Sequence, residues 1–328
     1  MLHPIENTFT LHLQFFRMKS FFTILFFGMF ALVANAQNIS LAFKQSNSLT
    51  DSLKVILHDV KLDGSFYIGD KDSEQVSFAV IDMSGKKPVF AGVHADNFIY
   101  PASVYKMYVA MEILKQVNEN KYSLYKQYIV PSPNDVDHSK EIDNDPRPLL
   151  HAGDTVTIDY LLDLMITRSD NSAANCLIDI AGRKNINETM HSLGWQGSEV
   201  TRKFLSRKVE DPGYDTIRGT ETCARHAAEF MYRVYNNKLI NPWVSMQLKA
   251  LLGRQLDVSK ISAGLPADFM FYHKTGWWSY FTHDVGIADN GKIKYIIALF
   301  TPVKEEDVLP KMKIISERVN AVIVQRHL

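Results

Sequence analysis

The sequence predicts a mixed α/β protein: an antiparallel sheet assembled from both chain ends and flanked by helices, with an all-helical lobe between. Three observations carry this. Strand signals cluster early, at 64–69, 77–81 and 88–92, and again late, at 269–274, 281–288 and 294–300. Helical periodicity fills the long stretch between them, and a last helix at 309–325 closes the chain. With 328 residues, 46% of them hydrophobic, the chain can bury the core of one large domain or of two packed subdomains.

The elements follow in order. Lys19 precedes an apolar run at 21–33 that ends at Ala34-Asn35-Ala36, a cleavage pattern before Gln37. That run is too short to span a bilayer comfortably. Residues 1–36 therefore read as an export signal, starting at Met1 or Met18, and the mature chain is expected in the periplasm or secreted, with no membrane span. No cysteine follows the cleavage site to take a lipid anchor. A first helix carries Leu53, Val55, Ile56, Leu57 and Val60, with Thr50 or Asp51 as its cap. The turn Asp82-Met83-Ser84-Gly85-Lys86 joins two strands, and the chain then passes through Tyr100-Pro101 into an apolar helix. Residues 131–153 form a polar, Pro/Asp-rich insertion without EF-hand spacing, expected to be a solvated loop. Further helices are expected at 158–167, 172–181, 187–193, 224–235 and 243–252, two of them stopped by Gly182 and Gly194. Asp289-Asn290-Gly291-Lys292 is a hairpin turn. The sheet lobe thus falls at about 50–100 and 265–328, and the helical lobe at about 101–264.

Lys+Arg and Asp+Glu both number 36, so charge gives no sign of a nucleic-acid or anionic-membrane partner. Cys176 and Cys223 sit in apolar helical settings and read as buried free thiols. No metal-ligand spacing involves them, and neither a metal nor a cofactor is expected. The chain is expected to work as a monomer on a small molecule.

Three short motifs carry chemistry. In Ser103-Val104-Tyr105-Lys106 the serine and lysine lie one helical turn apart, on one face. A lysine set into the apolar run that follows must find acceptors or lower its pKa, which makes Ser103 a candidate nucleophile. Ser169-Asp170-Asn171 stands between two helices of the middle lobe, and Lys274-Thr275-Gly276 ends a strand that continues into Trp277-Trp278. Singly, each also fits a chance helix pair, a helix cap or a turn. In this order, on an α/β plan with an export signal, they point to one site.

The three motifs, with the longer run Ser169-Asp170-Asn171-Ser172-Ala173-Ala174-Asn175, resemble the serine β-lactamase and penicillin-binding protein superfamily, class A β-lactamases most closely. The resemblance covers the chain from about Leu53 to the last helix. It implies a β-lactamase/transpeptidase-like fold and a serine β-lactamase that opens cyclic amides through an acyl-enzyme on Ser103. Lys106 would take or relay the Ser103 proton. Backbone N–H groups of Ser103 and Trp277 would form the oxyanion hole, and Ser169, linked to Lys274, would pass a proton to the leaving nitrogen. Asn171 would hold the substrate's side-chain amide, while Lys274, Thr275 and Gly276 would receive its carboxylate.

Two departures stand out. The resemblance implies a glutamate, after an arginine and an aromatic and before a proline, that activates the deacylating water. Here Ser206-Arg207-Lys208-Val209-Glu210-Asp211-Pro212-Gly213 offers Glu210, one residue out of register and only a little before Thr220-Glu221-Thr222. Glu199 is a weaker candidate, and Asn175 would pin the loop. An arginine for the substrate carboxylate is also missing from Tyr280-Phe281-Thr282-His283-Asp284, where His283 is either its substitute or structural; Arg218 has no clear counterpart. Two alternatives stay open: a D-Ala-D-Ala peptidase or penicillin-binding protein of the same fold, acting on a peptidoglycan-like substrate, and a non-catalytic cell-wall ligand-binding protein.

Overall fold

The computed structural model describes residues 43–69, 72–140, 142–210 and 217–328, and at 207 and 208 only the backbone. The expected export segment 1–36 and Asp211-Pro212-Gly213 lie outside the described residues. In chain order the elements are β1 (Lys44–Gln45), α1 (Asn47–Asp59), β2 (Ser65–Tyr67), β3 (Ser73–Gln75), β4 (Ser77–Asp82) and β5 (Val89–Val93). A 3-10 turn (Ala102–Tyr105) leads into α2 (Lys106–Asn118), followed by β6 (Gln127–Ile129), β7 (Thr155–Thr157) and α3 (Ile158–Asp163). After a π turn (Leu164–Arg168) come α4 (Asn171–Ala181), α5 (Arg183–Ser192), the short α6 (Arg207–Glu210), α7 (Ala224–Tyr235) and α8 (Pro242–Leu252). The chain ends with β8 (Met270–Trp278), β9 (Phe281–Asp289), β10 (Lys294–Thr301) and α9 (Glu305–Gln325).

The main sheet runs β1-β5-β4-β10-β9-β8 among the described residues. Its antiparallel centre joins the two chain ends, with Ile297 opposite Val80 and Ala298 opposite Ala79. Only β1 pairs in parallel, at the edge. The expected antiparallel sheet from both termini is therefore the observed one. Its central strands are buried on both faces, which is why their sequences are nearly continuous apolar runs rather than alternating ones. In β4, Phe78 and Val80 face the core formed with α1 and α9, where Leu53 and Val319 lie. Ala79 and Ile81 face the other core, with α2, α4 and α7.

Several boundaries moved for local reasons. The helix cap is Ser46, whose Oγ accepts from Leu49 N–H at 3.4 Å, so α1 begins before Thr50. The 64–69 strand pairs with β3 in a separate two-stranded sheet. The 131–153 insertion is closed at its base by β6 and β7, with Tyr128 opposite Val156.

That insertion is largely solvent-exposed, as its composition suggests, but it is anchored at buried Asn134, Asp145 and Leu150. Asp145 is buried and accepts from Arg147 Nε at 2.9 Å and Arg168 Nη1 at 3.2 Å. Arg168 also donates to Asp170 Oδ2 at 2.7 Å and to the carbonyls of Arg147 and Pro148. Burial works against the Asp145 charge, yet these arginines outweigh it and bring the carboxyl down to about 2. Asp145 is thus spent on a buried ion-pair network. No cluster able to hold a metal occurs among the described residues.

Candidate active site

The three motifs meet where the N-terminus of α2, the π turn before α4 and the edge strand β8 converge. Ser103 lies in the 3-10 turn that leads into α2, only 6% exposed. Gly276 explains how β8 comes so close. A Cβ there would stand 2.9 Å from both Ser103 N and Pro101 O, so any other residue would push the strand off the nucleophile turn. Trp277 follows directly in β8 and is 44% exposed.

Lys106, the first residue of α2, is fully buried. Its Nζ donates to Asn171 Oδ1 at 2.7 Å, to Ser169 Oγ at 3.2 Å and to the Ser169 carbonyl. These acceptors answer the desolvation cost that the sequence posed. Ser169 can present both oxygens because its backbone is left-handed, with φ 64°. That conformation is costly for a non-glycine residue and persists only when its surroundings enforce it. Here the π turn feeds into it and Asp170 caps α4 immediately after, its Oδ1 accepting from Ala173 N–H at 2.7 Å.

Lys274 reaches the same hydroxyl from the opposite side. Its Nζ donates to Ser169 Oγ at 2.9 Å and to the Thr275 carbonyl at 2.8 Å. Ser169 Oγ therefore accepts from two buried lysines, and its own hydrogen is left to donate elsewhere. Beside this cluster opens a cavity of about 740 Å³ lined by Ser103, Tyr105, Asp137, Asn171, Phe204, Trp277 and Trp278, among others. Ser169, Lys274 and Thr275 are buried, and Ser103, Asn171 and Trp277 face the cavity.

Glu210 is not brought to this cavity. Its Oε1 accepts from Arg183 Nη1 at 2.8 Å and from Lys203 N–H at 2.6 Å, and its side chain is 2% exposed. Glu199 is further away in role, its backbone pairing with Glu221. Arg218 binds Glu221 Oε2 and the Gly197 carbonyl at the surface. His283 is fully buried; burial pushes it down to about 3. Its Nε2 donates to the Tyr100 carbonyl at 2.9 Å and Nδ1 accepts from Thr301 N–H at 3.1 Å. The neutral imidazole ties the chain just ahead of Ser103 to the sheet, which is the structural one of its two expected roles. Cys176 and Cys223 are free and buried, each thiol pushed up to about 12 by burial.

Three cavity residues had no sequence signal. Tyr105 stacks on Phe204, centroids 5.4 Å apart and 10° from parallel. Phe204 also lies under Lys106, whose Nζ is 4.3 Å from the ring centroid. Asn175 fixes Phe204 by its backbone, accepting from its N–H at 2.7 Å and donating to its carbonyl at 3.3 Å. Asp137, from the insertion, accepts from Asn171 N–H at 2.7 Å and Nδ2 at 2.9 Å. Burial, with Asp170 nearby, raises the Asp137 carboxyl above the usual range despite the pull of Asn171 and Lys106.

Comparison with known proteins gives a consistent outcome. The sequence model of a family described as "Beta-lactamase enzyme family" matches residues 62–325. The β-lactamase AST-1 of Nocardia asteroides is 32% identical over 172 residues, 51% of this chain and 54% of that protein. The match thus spans about half the length of that relative. Among solved structures, a β-lactamase from Sphaerobacter thermophilus superposes with a TM-score of 0.70 at 18% identity, covering 84% of this chain and 98% of that one. PBP-A superposes with a TM-score of 0.69 at 17% identity, covering 86% and 98%.

Proposed function

Because the chain belongs to the β-lactamase enzyme family, we propose that it is a serine β-lactamase that opens β-lactam amides through an acyl-enzyme on Ser103. The observation that carries this reading is the shared hydroxyl: Ser169 Oγ receives Lys106 Nζ at 3.2 Å and Lys274 Nζ at 2.9 Å. Two buried lysines on one serine leave its hydrogen to donate elsewhere, and with Lys106 acting in its neutral form they make a short relay from the nucleophile side to the leaving-group side. In the reaction, Ser103 Oγ bonds to the lactam carbonyl carbon and the ring C–N bond breaks. The Ser103 proton passes by way of Lys106 and Ser169 to the ring nitrogen. The N–H groups of Ser103 and Trp277, brought together by the close contact at Gly276, would hold the developing oxyanion. Asn171 would receive the substrate's side-chain amide, and Lys274 with Thr275 its carboxylate.

The active protein is taken to be one catalytic domain, 37–328, exported to the periplasm and acting as a monomer. No helix among the described residues is long and apolar enough to cross a membrane. A second reading, a peptidase acting on peptidoglycan stem peptides ending in D-Ala-D-Ala, is favoured by one observation. Asp137 is the only carboxylate that lines the cavity among the described residues.

Mixing the purified full chain with a chromogenic cephalosporin and following absorbance and intact mass tests the proposal. Ring opening with a mass increment on Ser103, absent in Ser103→Ala, is the expected result. A folded protein that shows neither ring opening nor adduct would reject both readings.

A further inference from the structure

Away from the cavity, a row of polar side chains runs from the core toward α7. Tyr108 Oη, on α2, lies 2.9 Å from Thr222 Oγ1. Thr222 Oγ1 lies 2.8 Å from Ser198 Oγ, which lies 2.8 Å from His226 Nδ1 on α7. Tyr108, Thr222 and Ser198 are fully buried and His226 is half-buried. Among the described residues the three hydroxyls make no other hydrogen bond. Each link takes one hydrogen, and three hydroxyls supply three. The row therefore closes when Tyr108 donates to Thr222, Thr222 to Ser198, and Ser198 to an unprotonated Nδ1. A hydrogen on Nδ1 makes four for three links and leaves one buried O–H without an acceptor, a costly state. The row thus selects the neutral ring with its hydrogen on Nε2.

The same row supports the Ser103 turn from both sides. The Thr222 N–H donates to the Ile99 carbonyl at 3.1 Å, and the Ile99 N–H donates to the Thr222 carbonyl at 2.8 Å, just before Ser103. Tyr108 follows Lys106 in the first turn of α2. None of the four side chains lines the Ser103 cavity. We propose that His226 is an acid-sensitive latch on the nucleophile turn: its protonation breaks the hydroxyl row and releases Ile99 and Tyr108, the supports on either side of Ser103. The charges that act on the ring are Asp96, ahead of the same turn, and Arg225 beside it on α7, and these two bind each other at 2.9 Å. Phe98 packs edge-on to the ring, centroids 5.6 Å apart. On α7 the Cys223 thiol is pushed up to about 12 by burial, and Glu229 accepts from Trp195 Nε1 at 3.3 Å. Glu199, next to Ser198, lies 4.0 Å from His191. Burial outweighs the pull of Asp96 and brings His226 down to about 4 from its ordinary 6.5. As pH falls the unfolded chain takes up this proton first, so the latch is complete above pH 6.5 and is lost toward pH 4.

The experiment compares chemical denaturation of the full chain with that of His226→Asn, from about pH 7 to about pH 4. An asparagine Oδ1 still accepts from Ser198 but takes up no proton. The wild-type folding constant is expected to fall about 10²-fold relative to the variant across this range, the amount that the displaced titration sets. Lost packing on Phe98 lowers the variant equally at every pH and leaves this difference untouched. Amide exchange over 97–108, compared at matched pH, should rise in the wild type and not in the variant. Parallel denaturation curves, or equal exchange in this segment, would overturn the latch. If His226→Asn does not fold, the ring-nitrogen NMR shifts of the wild type decide, at a pH midway between the two titration values. An unprotonated, hydrogen-bonded Nδ1 is expected there, and a charged ring or an Nδ1–H would overturn the proposal. No arm of the experiment uses Ser103 chemistry, so its outcome is independent of the proposed activity.

Discussion

Two polar loops border the same cavity and treat their acids in opposite ways. The insertion between β6 and β7 sends Asp137 to the cavity wall, where it grips Asn171 by N–H and Nδ2. The loop around α6 draws Glu210 inward to Arg183 and Lys203 N–H, and offers Phe204 to the cavity instead. Both segments look like solvated surface in sequence. The difference lies in their cationic partners. The first loop has Arg147 and Arg168 to neutralise Asp145, so Asp137 is free to serve the Ser169-Asp170-Asn171 turn. The second has Arg183 and a backbone N–H that capture its carboxylate first. Arg183 and the Lys203 N–H hold Glu210 away from the cavity, while Asp137 stays at the wall on the two hydrogen bonds from Asn171.

The sharpest way to break the comparison is at Arg168, 2% exposed and bonded to Asp145 and Asp170. Arg168→Ala leaves buried Asp170 without its cation and Asp145 with Arg147 alone, and should cost about 3–5 kcal/mol. Chemical denaturation would measure it, and adduct formation on Ser103 should fall as well because the insertion and the Ser169 turn lose their common anchor. A loss no larger than that of a surface substitution would mean the insertion is held by something else.

Next in size is an acid-pH effect of the same network. Asp145 titrates at about 2 in the folded protein, below its ordinary value of 3.8. Its contribution is therefore complete above pH 4 and lost as pH falls from about 4 to 2, an amount of about 2 kcal/mol for this shift. Stability against pH, compared with Asp145→Asn, should show the wild type losing its advantage across that window. Parallel curves for the two proteins would exclude the assignment.

In the second loop Glu210→Gln keeps an oxygen for Arg183 or Lys203 N–H but removes the charge. A loss of about 1.5–2 kcal/mol is expected, the lower end of the range for a hydrogen bond to a charged group, measured by thermal melting. A variant as stable as the wild type would show that the Arg183 and Lys203 contacts contribute nothing, and the two loops would then differ less than proposed.

Much of the fold was legible because its signals are local. The helix expected at 224–235 is observed as Ala224–Tyr235, and the turn at Asp289-Asn290-Gly291-Lys292 does join β9 to β10. The serine and lysine of the first motif were legible for the same reason, being one turn apart on one stretch of chain. What escaped depends on partners distant in sequence. Nothing near Asp137 announces that Asn171 will be its partner, and nothing near Glu210 marks Arg183. The role of Phe204 was hidden differently. An aromatic in a loop usually reads as packing, and only the Asn175 clamp and the Lys106 contact place it at the nucleophile. His283 had two readings until both ring nitrogens found backbone partners.

The smallest predicted effect tests whether Asp137 serves the chemistry or merely fills its wall. Because Asp137 accepts from Asn171 Nδ2, the other end of that amide, Oδ1, is turned to Lys106 at 2.7 Å. Asp137→Asn replaces one acceptor oxygen by a donor, so either Asn171 N–H or Nδ2 loses its partner. Burial already disfavours the charged carboxyl, so a neutral amide should cost the fold little and the melting temperature should hardly move. The rate of Ser103 acylation by benzylpenicillin should nonetheless fall about 10-fold, the equivalent of one lost hydrogen bond of about 1.4 kcal/mol. A structural filler would give the reverse, a lowered melting temperature with acylation intact. If acylation and stability are both unchanged, the insertion does not orient Asn171, and the contrast between the loops reduces to which one carries Phe204.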